Sequence, residues 1–310
     1  MKGAEGLQSS NQQMIWGGNN MFNKMKKLLS VGAVVASAAV LLTGCGGGGQ
    51  QASSSSGSAA QEISGKISAS GSTALLPLLK PAQEAFQDKY EKVTVNIAGG
   101  GSFTGMNQVA EGSVQIGNSD VNLPDEYKDK GLVDHKVVVE PFVFIVDKNN
   151  KVDNITKQQA IDILTGKITN WKEVGGDDQP ITLIHRAKSS GSRATIADVV
   201  LKGAAFTDNA VIQDSNGAVR AAIASTLGSI GYVDAPYADD SVKVLKFDGV
   251  EYSPQNIIDG KYPIYGYGHM YTKGEPTGAV KAFIDYILSD EFQNTQVEKL
   301  GFIPVNKMKK

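Results

Sequence analysis

The chain has 310 residues, 41% of them hydrophobic, which is enough to bury one large core or two of ordinary size and excludes disorder throughout. Lys plus Arg number 30 against 32 for Asp plus Glu, so no broad basic footprint for nucleic acid or anionic lipid exists, and any bound anion must be held by local geometry. Cys45 is the single cysteine, so no disulfide can form within the chain; His135, His185 and His269 stand too far apart for a sequence-local metal site, and nothing points to a cofactor.

Residues 24–45 read as an export signal. Lys24, Lys26 and Lys27 form a basic start, and Leu28 to Leu42 an apolar run of about fifteen residues, short of the ~20 that a helix needs to cross a membrane. The run ends in Leu42-Thr43-Gly44-Cys45, which resembles the bacterial lipobox. That resemblance implies cleavage before Cys45, diacylglycerol on its thiol, and a protein anchored by lipid to the outer face of the cell membrane. Residues 1–45 are thus expected to be a signal peptide, with 1–20 upstream of a true start at Met21 or Met25. Residues 46–62, almost all Gly, Ser, Ala and Gln, are expected to form a flexible linker.

From Ile63 onward, β-branched runs alternate with amphipathic stretches, which predicts an α/β architecture. Strands are expected at Gly65–Ala69, Val93–Ala98, Val114–Gly117, Val137–Val146, Ile181–His185 and Ser229–Val233. The spacing of Leu75, Leu79, Ala82 and Phe86, and of Val280, Phe283, Ile284 and Ile287, puts apolar side chains on single helix faces.

The junctions between these elements carry the chemistry. Ser70-Gly71-Ser72-Thr73 precedes a helix expected to begin near Ala74, with Pro77 in its first turn. Gly99 to Gly105 (GGGSFTG) precedes the next helix, and Ser189-Ser190-Gly191-Ser192 opens a third, running through Ile196 and Val199. Backbone N–H groups at a helix start lack intrahelical partners and carry partial positive charge. Glycine admits close approach, and hydroxyls add donors, so an oxyanion can be bound there with little net charge. Each junction alone is more often a simple N-cap; their joint occurrence, with Arg186 and Asp120 at hand, points to an anion.

These residues resemble the phosphate-binding proteins of bacterial phosphate ABC transporters, over about Ile63 to Val305. The resemblance rests on Gly71-Ser72-Thr73, Gly99-Gly100-Gly101-Ser102, Ile116-Gly117-Asn118-Ser119-Asp120, Asn170 to Gly176 (NWKEVGG), Arg186 to Ser192, Asn216-Gly217-Ala218-Val219 and Gly301-Phe302-Ile303-Pro304-Val305. It implies a two-lobed α/β fold of periplasmic-binding-protein type (type II), with a ligand cleft between lobes joined by crossing segments near Pro141–Val146 and Pro263–Tyr271. Lobe I would comprise 63–141 and 266–310, and lobe II 142–265. The implied partners are inorganic phosphate and the permease subunits of an ABC transporter; a monomer is expected.

Carried over position by position, the phosphate contacts fall on Ser72, Thr73, Ser102, Asp120, Arg186, Ser190, Gly191 and Ser192. Arg186 offers a fixed fork of donors for two oxygens, against the plainer role of a surface salt bridge. Asp120 would accept the proton that phosphate carries near neutral pH and sulfate lacks, against the alternative that it caps the turn at Val121–Pro124. The loop departs from the family at Ala187-Lys188-Ser189, where Lys188 would make the site more positive, and Ser192 stands where threonine is common.

Other features favour plain readings: Trp171 and Tyr262, Tyr265, Tyr267 and Tyr271 as packing residues, and Lys307, Lys309 and Lys310 as a solvated tail. Competing functions are a receptor for another oxyanion or small solute, and a phosphate-sensing lipoprotein without a transport role. A hydrolase finds little support, since Gly-x-Ser-x-Gly is absent and the serines lie next to no histidine at nucleophile-elbow spacing.

Overall fold

A computed structural model describes residues 62–308. The expected export signal, Cys45, the linker up to Gln61, and Lys309 and Lys310 lie outside the described residues.

Strand β1 (Gly65–Gly71) is exposed at its start and buried from Ala69 onward, burial alternates along β2 (Val93–Gly99), and α1 (Leu76–Lys89) between them buries Leu78, Leu79, Ala82 and Phe86. Pro77 lies in its first turn and Pro81 on its exposed side. Next come α2 (Ser102–Glu111), β3 (Ile116–Ser119) and β4 (Leu132–Asp147), the last buried from Val137 onward. Then follow β5 (Asn154–Ile155), α3 (Lys157–Leu164), β6 (Thr182–Arg186), α4 (Gly191–Ile196), β7 (Val211–Gln213), α5 (Asn216–Ser225) and β8 (Ser229–Asp234). The described chain closes with β9 (Val242–Val244), β10 (Lys246–Phe247), α6 (Pro254–Ile258), β11 (Tyr265–Lys273), α7 (Gly278–Leu288) and a short helical C-terminal region.

The main sheet runs β2-β1-β3-β11-β4-β8-β6-β7, with β9 also on β4; β5 and β10 pair separately. Pairing is parallel within β2-β1-β3 and within β8-β6-β7, and antiparallel around β11 and β4. The long strand β4 changes partner along its length: Leu132–Pro141 pairs with β11 and Phe142–Val146 with β8. Each half has its own core, one gathering Ile67, Phe86, Val95 and Phe283, the other Phe144, Trp171, Ile184 and Tyr232. This is the two-lobed α/β fold that the sequence led us to expect.

All six expected strands are present, with shifted ends: β3 begins at Ile116 rather than Val114, β6 at Thr182, and β4 at Leu132 rather than Val137. Helix α1 starts at Leu76 instead of near Ala74 because Ser72 Oγ accepts from the N–H groups of Ala74 (2.9 Å) and Leu75 (3.3 Å), holding a turn before it. Helix α4 ends at Ile196 and widens into a π turn over Ala197–Leu201. Strand β11 was unforeseen. Its glycines and tyrosines carry no clear apolar alternation, and it is held by antiparallel ladders on both sides, to β3 and β4.

Candidate functional site

Four chain segments end at one place in the sheet. Ser72 and Thr73 lie between β1 and α1, Ser102 opens α2, and Asp120 follows β3. Arg186 closes β6, and Ser190 to Ser192 start α4. All of these residues are buried. Parallel strands with helices returning from them bring their ends to a common edge, which is how residues so distant in sequence come together.

The contacts between them are direct. Ser192 Oγ donates to Asp120 Oδ2 at 2.9 Å, and Asp120 N–H donates to Ser102 Oγ at 3.0 Å. Arg186 reaches Ser192 Oγ at 3.5 Å with one terminal nitrogen and donates to the Asp214 carbonyl at 3.0 Å with the other; its Nε is buried without a partner among the described residues. Gly191 is required by proximity: a Cβ there would lie 2.1 Å from Ser102 Oγ and 2.9 Å from Asp120 Cβ. Gly71 is required twice over, with φ of +134° and a Cβ position 2.1 Å from the Asn118 carbonyl. The Ser189 carbonyl accepts from Phe103 N–H at 3.2 Å, tying the α4 loop to the start of α2.

The turn after β3 is closed by Ser119, not by Asp120. Ser119 Oγ accepts from Val121 N–H at 3.0 Å and donates to the Val121 carbonyl at 2.8 Å, leaving the Asp120 carboxyl free to face the α4 start. Ser190 Oγ accepts from Arg193 N–H at 3.2 Å as the N-cap of α4, so what it offers a ligand is its hydroxyl proton. Lys188 is exposed, so its ammonium stays in water beside the buried cluster.

Burial pushes the Asp120 carboxyl above the usual aspartate range, while the nearby hydroxyls of Ser72, Ser192 and Ser102 and the charge of Arg186 pull it back. Arg186 is pushed down by burial and held up chiefly by Asp120.

Four residues join this region that were not picked out as site residues. Asn216 bridges it: its backbone N–H and its Nδ2 both donate to Thr73 Oγ1, at 3.2 and 3.1 Å, and Nδ2 also donates to Ser192 Oγ at 3.3 Å. Its motif was visible in the sequence, and its place just after the Ser215 cap was the available signal. Asn118, Glu140 and Asp234 are buried polar side chains around the same strands. Glu140 signals itself as one acid inside the apolar run from Val137 to Val146.

A groove of about 410 Å³ opens beside Asp120, lined in part by Phe103, Asn122, Ala194, Tyr265 and Tyr267. The aromatic residues otherwise pack. Trp171 is buried and donates its indole N–H to the Gly228 carbonyl at 2.8 Å, Tyr262 donates to the Phe142 carbonyl at 3.0 Å, and Tyr271 to the Val121 carbonyl at 3.0 Å. Lys307 is exposed and forms a surface ion pair with the exposed Glu298.

The PBP superfamily domain matches residues 55–291. The chain is 44% identical over 252 residues to the phosphate-binding protein PstS of Bacillus subtilis (strain 168), covering 80% of this chain and 84% of that protein. A crystal structure of a substrate-binding protein from Clostridium perfringens, assigned to a phosphate ABC transporter and holding bound phosphate, superposes with a TM-score of 0.75. It is 37% identical and covers 78% of this chain and all of that one. An ABC-type phosphate transport receptor from Vibrio cholerae shares the fold, with a TM-score of 0.64 at 23% identity, covering 76% of this chain and 99% of the receptor. The two-lobed fold, the matched domain and the extent of identity agree: the chain belongs to the PBP superfamily and, within it, to the PstS-like phosphate-binding proteins.

Proposed function

We propose that this protein captures inorganic phosphate outside the cytoplasmic membrane and delivers it to the permease subunits of an ABC transporter, as a monomer held to the membrane by a lipid on Cys45. The observation that carries the reading is the state of Asp120. One carboxylate oxygen accepts from Ser192, and the other, Oδ1, is buried with no partner among the described residues. A carboxyl oxygen so placed can accept a proton from a ligand, but it repels an anion that has none to give. Hydrogen phosphate fits that demand, and sulfate does not.

Around this acceptor, Arg186 and the hydroxyls of Ser72, Thr73, Ser102, Ser190 and Ser192 supply donors, with the N–H groups near Gly191 at the α4 start. Burying the anion removes its hydration, so nearly every oxygen needs one of these. The lobe division 63–141 with 266–310 against 142–265 is supported by the two cores: the first draws only on the former residues, while the second adds only Ala74, Val139, Ile303 and the partly buried Tyr267 and Met308 to the latter. Phosphate bridging the lobes would bias them toward a closed form that a permease can recognise. The protein acts as a receptor, and hydrolysis of phosphate esters is expected to stay at background.

Calorimetric titration of the purified, ligand-stripped protein at neutral pH tests the reading. Tight phosphate binding with sulfate silent is the expected result. A folded, stripped protein that takes up no phosphate would overturn it, and a preference for sulfate would turn it into a receptor for another oxyanion.

A further inference from the structure

Glu140 and Asp234 have no role among the donors just described, yet both are fully buried and none of their four carboxyl oxygens has a hydrogen-bond partner among the described residues. The sheet brings them together. Asp234 stands opposite Phe142 in the β4–β8 ladder, and Glu140 lies two residues from Phe142 on the same strand, so the two acids share one face. Glycines make room for them: Glu140 is opposite Gly266, and its Cδ lies 3.3 Å from where a Cβ on Gly268 would be. The side-chain amide of Asn118 is likewise buried and unpartnered.

This layer touches the anion site through Asn216. Its Oδ1 accepts from Asp234 N–H at 3.0 Å, while its Nδ2 donates to Thr73 and Ser192.

The charged and titratable groups facing the two acids are few. Asp120, from the end of β3, acts on both, and Asp234 also acts on Glu140. Arg186, from β6, is paired electrostatically with Asp120. Tyr237 and Tyr252 flank Asp234, and burial pushes both phenols up, so they stay protonated. The α1 side contributes the apolar Leu75, and β11 contributes Gly266 and Gly268.

Asp120 has hydroxyl donors and a guanidinium, so it ionises first. Its charge, added to burial, then opposes ionisation of Glu140 and Asp234, and both are raised well above the usual carboxylate range.

We propose that Glu140 and Asp234 hold exchangeable protons beneath the anion site, and that capture of a phosphate dianion is linked to uptake of protons onto these two carboxyls. The inference rests on the phosphate reading above. The sign follows from charge: an arriving dianion adds negative potential, which raises the proton affinity of both acids. Protons are therefore taken up between the free-state and bound-state titrations, and phosphate affinity falls as pH rises through that window. Each proton linked lowers affinity by up to about tenfold per pH unit.

The test is calorimetry of the full chain with inorganic phosphate at about pH 8.5, where the ligand is already the dianion, in buffers of different ionisation enthalpy. The dependence of the apparent heat on buffer counts the protons exchanged. Wild type is expected to take up a measurable fraction of a proton per phosphate. Glu140→Gln and Asp234→Asn should each reduce the count, and the double variant should bring it to zero. Phosphate binding with no buffer dependence in wild type, or with the same count in the double variant, would overturn the inference while leaving the phosphate reading intact. No phosphate binding at any pH would overturn both.

Discussion

The hydroxyl of Ser192 and the carboxylate of Asp120 meet at 2.9 Å across the face where the two cores approach, one at the start of α4 and the other at the end of β3. The contact fixes the direction of the Asp120 carboxyl and leaves its Oδ1 as a buried acceptor. On the proposed reading, selectivity lies in one oxygen atom.

Replacing that acceptor is the direct check. In Asp120→Asn the carboxamide no longer repels an unprotonated anion, and it no longer accepts as a charged group. Phosphate affinity should fall by about 1.5–3 kcal/mol, roughly one to two orders of magnitude, and the preference over sulfate should shrink by more than that. Competition titrations with the two anions read both effects.

Arg186 divides its terminal nitrogens between Ser192 and the Asp214 carbonyl while its Nε remains unpartnered. Lysine keeps the charge but loses the planar fork, so Arg186→Lys should weaken phosphate binding by about 1.5–3 kcal/mol despite its conservative charge. Calorimetry should show the loss, with circular dichroism unchanged.

At Gly191 the smallest possible addition has a defined consequence. An alanine methyl would collide with Ser102 Oγ and crowd Asp120 Cβ. Gly191→Ala should hold α4 away from α2 and lower phosphate affinity by about tenfold or more, equivalent to roughly 1.4 kcal/mol. Small-angle scattering with phosphate present should show a larger radius of gyration than wild type.

The buried Glu140 makes a separate prediction about stability. Its carboxyl is raised above the unfolded value because burial and the Asp120 and Asp234 charges oppose ionisation. The unfolded chain therefore releases this proton first. The native state loses stability as pH rises from the ordinary glutamate range toward the raised native value. Glu140→Gln removes that loss, so without phosphate its melting temperature should exceed that of wild type at about pH 8, and the gap should close near pH 4.

Trp171 separates packing from ligand contact. Trp171→Phe removes one of the two donors to the Gly228 carbonyl, which keeps Thr182 N–H at 3.0 Å, and leaves space where the buried indole packed. The lost bond and packing should together cost about 1–3 kcal/mol in chemical denaturation with phosphate affinity unchanged.

What could be read from the sequence follows from how local each signal is. Strand-to-helix junctions carry their chemistry in adjacent residues, so Ser72, Ser102 and Ser190 to Ser192 stand out, and the structure brings them to one place beside Asp120 and Arg186. Strand β11 lacks such a signal because its order comes from ladders to β3 and β4, both distant in the chain. Asp234 and Asn118 were missed for the same reason: a polar residue near a strand end looks like an ordinary turn former until its neighbours are known. Glu140 differs, since an acid in the middle of an apolar strand is visible in sequence, but its neighbours Asp234 and Gly268 are not.

Strand β4 has a mechanical meaning as well. It is laced to β11 up to Pro141 and to β8 from Phe142, and the two halves of the sheet change over at a residue that lacks an N–H. Phe142 N–H is bound to the Ile264 carbonyl at 2.9 Å, so the return crossing is fastened at the same level. Any rotation of one core against the other would then concentrate as bending of a single continuous ribbon about a short line. A joint of that kind would permit one direction of swing and resist sliding, so the proposed closure would bring Ser192 back to the same carboxylate oxygen each time.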